Sequence, residues 1–213
     1  IIGSVPNPGL SWEKTRMINA GVRIELKKIL DIELEYYDNV TSDMLSKIYV
    51  SRVLSSDRIS SNIGRMRNTG IELSLSSTNF ARRNFTWTTN FNMAHNTNKI
   101  LELYNGVPTS FGSYAWMEGY DSQTWNLVRW AGVDPSDGSP MWYDKNGNIT
   151  RTFSTANRVP GKTRTPLLSG GLVNNMSWKN WTLSFQINYL IGGYALPTYA
   201  GIYFKDGYDI VSA

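Results

Sequence analysis

Apolar and polar side chains alternate along this chain in paired runs, and each pair is joined by a short polar break. The clearest pair spans residues 62–93. From Gly70, Ile71, Leu73 and Leu75 alternate with Glu72, Ser74 and Ser76. After a polar break at 77–84, Phe85, Trp87, Phe91 and Met93 alternate with Thr86, Thr88, Asn90 and Asn92. A period of two places one kind of side chain on each face of an extended strand, so the stretch predicts a β-hairpin with one apolar and one uncharged polar face.

The same pattern recurs on both sides of it. Upstream, Ile18, Ala20, Val22, Ile24 and Leu26 alternate with Asn19, Gly21, Arg23 and Glu25; after Lys27-Lys28, Leu30, Ile32, Leu34 and Tyr36 alternate with Asp31, Glu33 and Glu35. Downstream, Leu167 to Trp178 reads as a strand, and beyond Lys179-Asn180 the residues Trp181, Leu183, Phe185, Ile187 and Tyr189 alternate with Thr182, Ser184, Gln186 and Asn188. About six strands are expected, each roughly ten residues long, which is the length a tilted strand needs to cross a bilayer. After Gly192-Gly193 the pattern is lost.

The connections are unequal. Breaks at 27–28, 77–84 and 179–180 are brief, whereas 38–61 and 96–165 are long. Outer-membrane barrels have short periplasmic turns and large extracellular loops, so the asymmetry predicts an antiparallel up-and-down transmembrane β-barrel portion with its long loops outside. Trp12, Trp178 and Trp181 stand next to strand ends, with Tyr189 toward the opposite end, where amphipathic rings suit a membrane boundary. On this reading Leu34, Phe85, Trp87, Phe185 and Ile187 face lipid. Glu33, Glu72, Thr88, Asn90 and Gln186 face a wet lumen.

Composition sharpens this picture. Among 213 residues there are 8 Trp and 12 Tyr, and only 18% are charged, below the roughly 25% of soluble proteins. The mean hydropathy of -0.32 and the lack of a long apolar run exclude a transmembrane helix but leave a barrel open, because half of its strand residues face water. The net charge of +4 is mild and the Lys and Arg are scattered, which argues against nucleic acid as a partner. Without cysteine there is no disulfide framework or thiolate site. The N-terminal residues have no basic segment leading an apolar core, so an exported protein with this sequence is expected to be longer than the chain.

Candidate chemistry is sparse. Asp31, Glu33 and Glu35 share a strand face, but no partner base or nucleophile accompanies them, and they are read as a hydrated wall. The single His, His95, ends a strand and is read as a polar rim residue. No Ser lies in a G-x-S-x-G context, so no enzyme is expected. Within 96–165, turns at Gly132–Pro140 and Asp144–Asn148 flank a short strand at Met141–Tyr143, predicting a small hairpin. Asp134, Asp137 and Asp144 lack the ligand rhythm of a calcium loop and are explained by turn chemistry. No metal or cofactor is predicted. In the same segment Phe111, Tyr114, Trp116, Tyr120, Trp125 and Trp130 crowd beside Glu118, Asp121 and Arg129. These rings either stack against sugars or peptides, with Trp116, Tyr120, Trp125, Arg129 and Trp130 as contact candidates, or pack the segment's own miniature core.

Several motifs, in order and spacing, resemble the SusC/RagA family of TonB-dependent outer-membrane transporters of Bacteroidetes. Asn7-Pro8-Gly9-Leu10-Ser11-Trp12-Glu13 resembles its N-P-x-L-x-W-E lead into a strand, and Leu34-Glu35-Tyr36-Tyr37-Asp38 is similar to its D-Y-Y-D strand end. Asn62-Ile63-Gly64 with Asn68-Thr69-Gly70-Ile71-Glu72-Leu73 resembles its N-x-G-x-x-x-N-x-G-x-E-L signature, with Thr69 where Lys is usual. Phe91-Asn92, Asn96 to Lys99, the Gly132 to Gly138 run, and Pro166 with Ser169-Gly170-Gly171 also fit. The resemblance implies a barrel of about 22 strands, of which this chain is a C-terminal-half piece without plug or TonB-contacting segment. It further implies uptake of glycans or peptides, a SusD-like surface lipoprotein as lid, energy from the TonB complex, and a bacterial outer-membrane location. The competing expectation from the alternation alone is a secreted β-sandwich that binds carbohydrate or mediates adhesion, its apolar rows buried between two sheets.

Overall fold

A computed structural model describes residues 8–49, 58–62 and 64–196. In chain order the strands are β1 (Lys14–Leu26), β2 (Leu30–Ser42), β3 (Leu45–Tyr49), β4 (Arg58–Asn62), β5 (Arg65–Arg82), β6 (Phe85–Glu102), β7 (Thr109–Phe111), β8 (Tyr114–Trp116), β9 (Thr124–Leu127), β10 (Trp130–Val133), β11 (Pro140–Tyr143), β12 (Ile149–Thr150), β13 (Val159–Thr163), β14 (Leu168–Trp178) and β15 (Trp181–Ile191). The six long strands form one antiparallel sheet in the order β1-β2-β5-β6-β14-β15. The three hairpins expected from the alternation are therefore adjacent in space.

Register lines the faces up. Ile24 pairs with Ile32, Ile32 with Leu75, Leu75 with Phe91, Phe91 with Leu172, and Leu172 with Ile187. One apolar row thus crosses the whole sheet. On the other face Arg23, Glu33, Ser74, Asn92, Gly171 and Asn188 form the neighbouring row. Because opposed residues share a face, each pairing keeps the apolar set together, and a slip by one residue would reverse it.

The apolar face is uncovered. Val22, Ile24, Leu34, Leu183 and Ile187 are all exposed, and among the described residues the buried apolar ones are Met44, Ile100, Leu103 and Ala115. The six-stranded sheet has no second sheet packed on it among the described residues, which removes the β-sandwich reading.

Three boundaries differ from the sequence reading, each for a physical reason. The break expected at 77–84 shrinks to Arg83 and Asn84, because Thr78 pairs with Thr88 and Phe80 with Trp87, leaving Asn79 as the extra residue of a β-bulge. A bulge interrupts the period of two without ending the strand. It also brings Phe80 onto the apolar face, 5.5 Å from the Phe85 ring. At the other end β6 runs to Glu102, into the segment read as loop from 96. The connection 38–61 contains the end of β2 and the paired strands β3 and β4; backbone pairing needs no alternation of side chains.

Beyond β6 the chain builds two small sheets. One has the order β13-β9-β8-β7, the other β10-β11-β12. The second contains the expected strand at Met141–Tyr143, extended into a three-stranded meander.

Candidate functional site: a two-faced wall and its loop cap

All ten wall positions singled out by alternation separate onto two faces as expected. Glu33 is opposite Ser74, Glu72 opposite Glu35, Asn90 opposite Ser76 and Val173, Thr88 opposite Thr78 and Asn175, and Gln186 opposite Val173. Leu34 lies between Val22 and Leu73, Phe85 opposite Trp178, Trp87 opposite Met176, Phe185 opposite Asn174, and Ile187 opposite Leu172. The polar face is lined with hydroxyls, amides and carboxylates that bond one another, including Ser76 to Asn90 at 2.8 Å and Ser184 to Asn175 at 2.7 Å. Arg23 holds Asp31 through two bonds, at 3.0 and 2.5 Å, so that carboxylate is tied up within the wall.

Asn174 is one of a few polar residues on the apolar face, opposite Thr89. It is buried, and its Oδ1 accepts from the Trp87 indole at 2.9 Å and from the Thr89 hydroxyl at 2.7 Å. The indole N–H of an outward Trp is thereby satisfied inside the wall, leaving the ring to the apolar surface. Alternation alone did not find this, because β14 carries amides on both faces.

The motif residues acquire reasons. Asn62 donates to the carbonyls of Ser11 and Asp43 at 2.8 and 2.7 Å and accepts from the Ser11 amide at 2.7 Å, while Glu13 accepts from the Leu45 amide at 2.6 Å. These bonds tie the lead-in of β1 to the top of β4. Gly64 has a φ of 115°, and a Cβ there would lie 2.4 Å from the Glu102 carbonyl oxygen. Asp38 is gripped by the Arg67 guanidinium at 2.9 and 2.7 Å. Asn98 donates to Asn68 at 2.6 Å and accepts from the Ser122 amide at 2.8 Å, coupling the wall to the cap. His95 lies opposite Ile71 and donates Nδ1–H to the Leu167 carbonyl at 2.6 Å.

The five loop candidates are not brought together as one surface. Trp130 meets Trp142 edge-on at 5.8 Å, and Trp142 meets Phe153 at 5.5 Å, forming a small aromatic cluster in the meander. Trp116 packs against Phe111 at 5.3 Å. Tyr120 is anchored by its backbone to Ile100. Trp116 and Trp130 thus each meet another ring of the segment, Trp116 half-buried and Trp130 exposed. Trp125 and Arg129 instead line a common cleft of about 330 Å³ with Lys162 and Tyr194. Lys162 and Tyr194 were missed. Tyr194 follows Gly192 and Gly193, whose φ values of 77° and 76° turn the chain back so that the Tyr194 amide donates to the Thr163 carbonyl at 3.0 Å. The paired glycines were the available signal.

The acidic turn residues serve the meander. Asp134 accepts from the Ser136 amide and hydroxyl and grips Arg151 together with Asp137. Chiefly through the Ser136 bonds, with Arg151 adding to them, its carboxyl is held down to about 2. Asp144 accepts from the Asn146 and Asn148 amides, both at 2.8 Å.

A strongly two-faced antiparallel sheet with an uncovered apolar side, short turns at one end and elaborate loops at the other is the wall of a membrane-spanning β-barrel. Residues 1–190 match the family described as TonB dependent receptor-like, beta-barrel, and the chain belongs to that family, whose place is the bacterial outer membrane. It is 33% identical over 114 residues to TonB-dependent receptor P39 of Formosa agariphila, covering 53% of this chain and 11% of that protein. It is 25% identical to TonB-dependent receptor SusC of Bacteroides thetaiotaomicron over 88% of this chain and 20% of the relative. Among solved structures, the RagAB peptide transporter aligns with a TM-score of 0.81 at 27% identity, over 90% of this chain and 22% of that one. The chain thus spans about a fifth of the length of SusC, and these relatives are receptors and transporters, not enzymes.

Proposed function

We propose that this segment forms part of the wall and exterior cap of a SusC-type importer that takes up glycans or peptides across the outer membrane. In that reading a SusD-like surface lipoprotein closes over the long loops, and the TonB complex, acting through other parts of the transporter, drives release inward. The observation that carries it is the row from Ile24 through Ile32, Leu75, Phe91 and Leu172 to Ile187, an apolar band across six strands with nothing packed over it among the described residues. Such an area, roughly 25 cal/mol per Å² unfavourable in water, requires lipid. The polar face then lines the lumen, with Glu33, Glu72, Thr88, Asn90 and Gln186 contributing to a wet path. Residues 96–165 lie outside the cell in this arrangement. The likeness to the TonB-dependent receptor SusC and to the RagAB peptide transporter supports import.

The test uses the full-length protein in lipid, spin-labelled singly at Leu34, Phe85 and Phe185 and at Glu33, Thr88 and Gln186. Oxygen-accessible labels at the first three and labels open to a water-soluble relaxant at the others are expected. Labels at Leu34, Phe85 and Phe185 shielded from both reagents would mean a protein core and would sink the reading.

A further inference from the structure

The cleft of about 330 Å³ between β9, β13 and residues 194–196 has a composition unlike the rest of the cap. Its walls include Trp125, Val159, Tyr194 and Leu196; among the described residues its charged lining residues are Arg129 and Lys162, and no carboxylate lines it. Each cation around it is seated on an aromatic ring. Lys162 Nζ lies 5.6 Å from the Tyr194 centroid, Arg129 Cζ 5.0 Å from that of Tyr143, and Arg164 Cζ 5.5 Å from that of Trp125. A ring face orients a cation and leaves most of its N–H donors unused.

The contrast with nearby cations is informative. Arg151 is consumed by Asp134 and Asp137, Arg67 by Asp38, and Arg65 reaches Glu102. Among the described residues no ion pair involves Arg129, Lys162 or Arg164. Arg164 also reaches Gln123 Oε1 at 3.4 Å, and Trp125 is fixed by its indole bond to the Tyr194 carbonyl at 2.6 Å. Here the cations have rings and an open apolar recess beside them.

From this placement we infer that the cleft binds a carboxylate borne on a flat or apolar body, with Lys162, and Arg129 once swung off the Tyr143 ring, receiving the charge and Trp125 with Tyr194 receiving the body. A guanidinium presents paired N–H donors to a carboxylate, and the rings give contact area at small entropic cost. The inference deepens the import reading by naming a chemical class of cargo, and it rests on that reading for its physiological meaning. Two sources carry this chemistry: the C-terminal residue of a peptide and a uronic acid of a glycan.

The test is equilibrium binding to the full-length protein in detergent, without any transport step. The probes are a tripeptide ending in Phe with a free carboxylate against its C-terminal amide, and trigalacturonate against neutral trigalactose. At least one carboxylate probe is expected to bind about tenfold or more tightly than its neutral counterpart, the preference shrinking as salt rises because both cations are exposed. Arg129→Gln with Lys162→Gln is expected to abolish the preference, while Lys162→Arg keeps it. Which probe responds identifies the source. Equal binding of charged and neutral forms, or a preference that survives the double substitution, overturns the inference. The assay needs no uptake, so a protein that fails the spin-label test yet shows the preference loses only the import reading, and one that passes yet shows no preference loses only the cleft.

Discussion

The phenol ring of Tyr37 lies directly over Gly70, its cross-strand partner, so closely that a Cβ on Gly70 would stand 2.6 Å from two ring carbons and from the hydroxyl oxygen. The Tyr37 hydroxyl then reaches past Gly70 to donate to Asn96 on β6 at 2.5 Å. One side chain therefore spans three strands, and it does so only because the middle one has no side chain there. Gly70→Ala forces the ring off its seat and is expected to destabilise the full-length protein by about 2 kcal/mol, the usual scale for overpacking. Denaturant midpoints of Gly70→Ala in the native and in the Tyr37→Ala background check this: the glycine substitution should be far less damaging once the ring is gone.

Asn62 holds the chain ahead of β1 by three hydrogen bonds to Ser11 and Asp43. Asn62→Ala should cost about 1–2 kcal/mol, given the usual net worth of such bonds. Hydrogen exchange at the Ser11 and Leu45 amides is the measurement. Faster exchange at Ser11 with the β5–β6 ladder unchanged is the expected result.

Asn174 presents a different liability. Replacing it with Ala leaves the Trp87 indole and the Thr89 hydroxyl without their acceptor on the apolar face, which meets lipid in the proposed arrangement, and a loss of about 1–3 kcal/mol is expected. Asn174→Gln, which can still accept from both, should lose less. Unfolding of the full-length protein in lipid compares the two.

The meander carries the pH dependence. The Asp134 carboxyl is depressed to about 2 from an ordinary 3.8, first by its bonds from Ser136 and then by Arg151. A depressed acid favours the folded form when ionised, so its contribution is complete above about 3.8 and is lost as the pH falls toward 2. The Ser136 amide resonance should therefore titrate with a midpoint near 2. Asp134→Asn should abolish that titration, and a midpoint near 4 in the native protein would show that the turn bonds do not form in solution.

Much of the wall was legible from residues alone. The apolar parities of 18–26, 30–36, 71–75, 85–93 and 181–189 were sufficient to sort ten positions onto two faces, because side-chain direction in a strand is a local property with a period of two. Where the local rule was broken, so was the reading. Asn79 inserts a bulge that alternation mistakes for a turn, and the amides of β14 conceal that Asn174 lies on the apolar side. The aromatic crowd at 111–130 was visible, but its division was not. Trp116 and Trp130 joined local clusters, whereas Trp125 faced a recess completed by residues 159–162 and 194–196.

By itself, then, the sequence determined the period, the faces and the short turns. The tertiary structure decided what lies beside what. Neighbouring rows are matched by hydrogen bonds between strands far apart in the chain, and only that register makes one apolar band out of Ile24 and Ile187, seats Tyr37 on Gly70, and gathers Arg129 and Lys162 around a cleft with no acid in its lining.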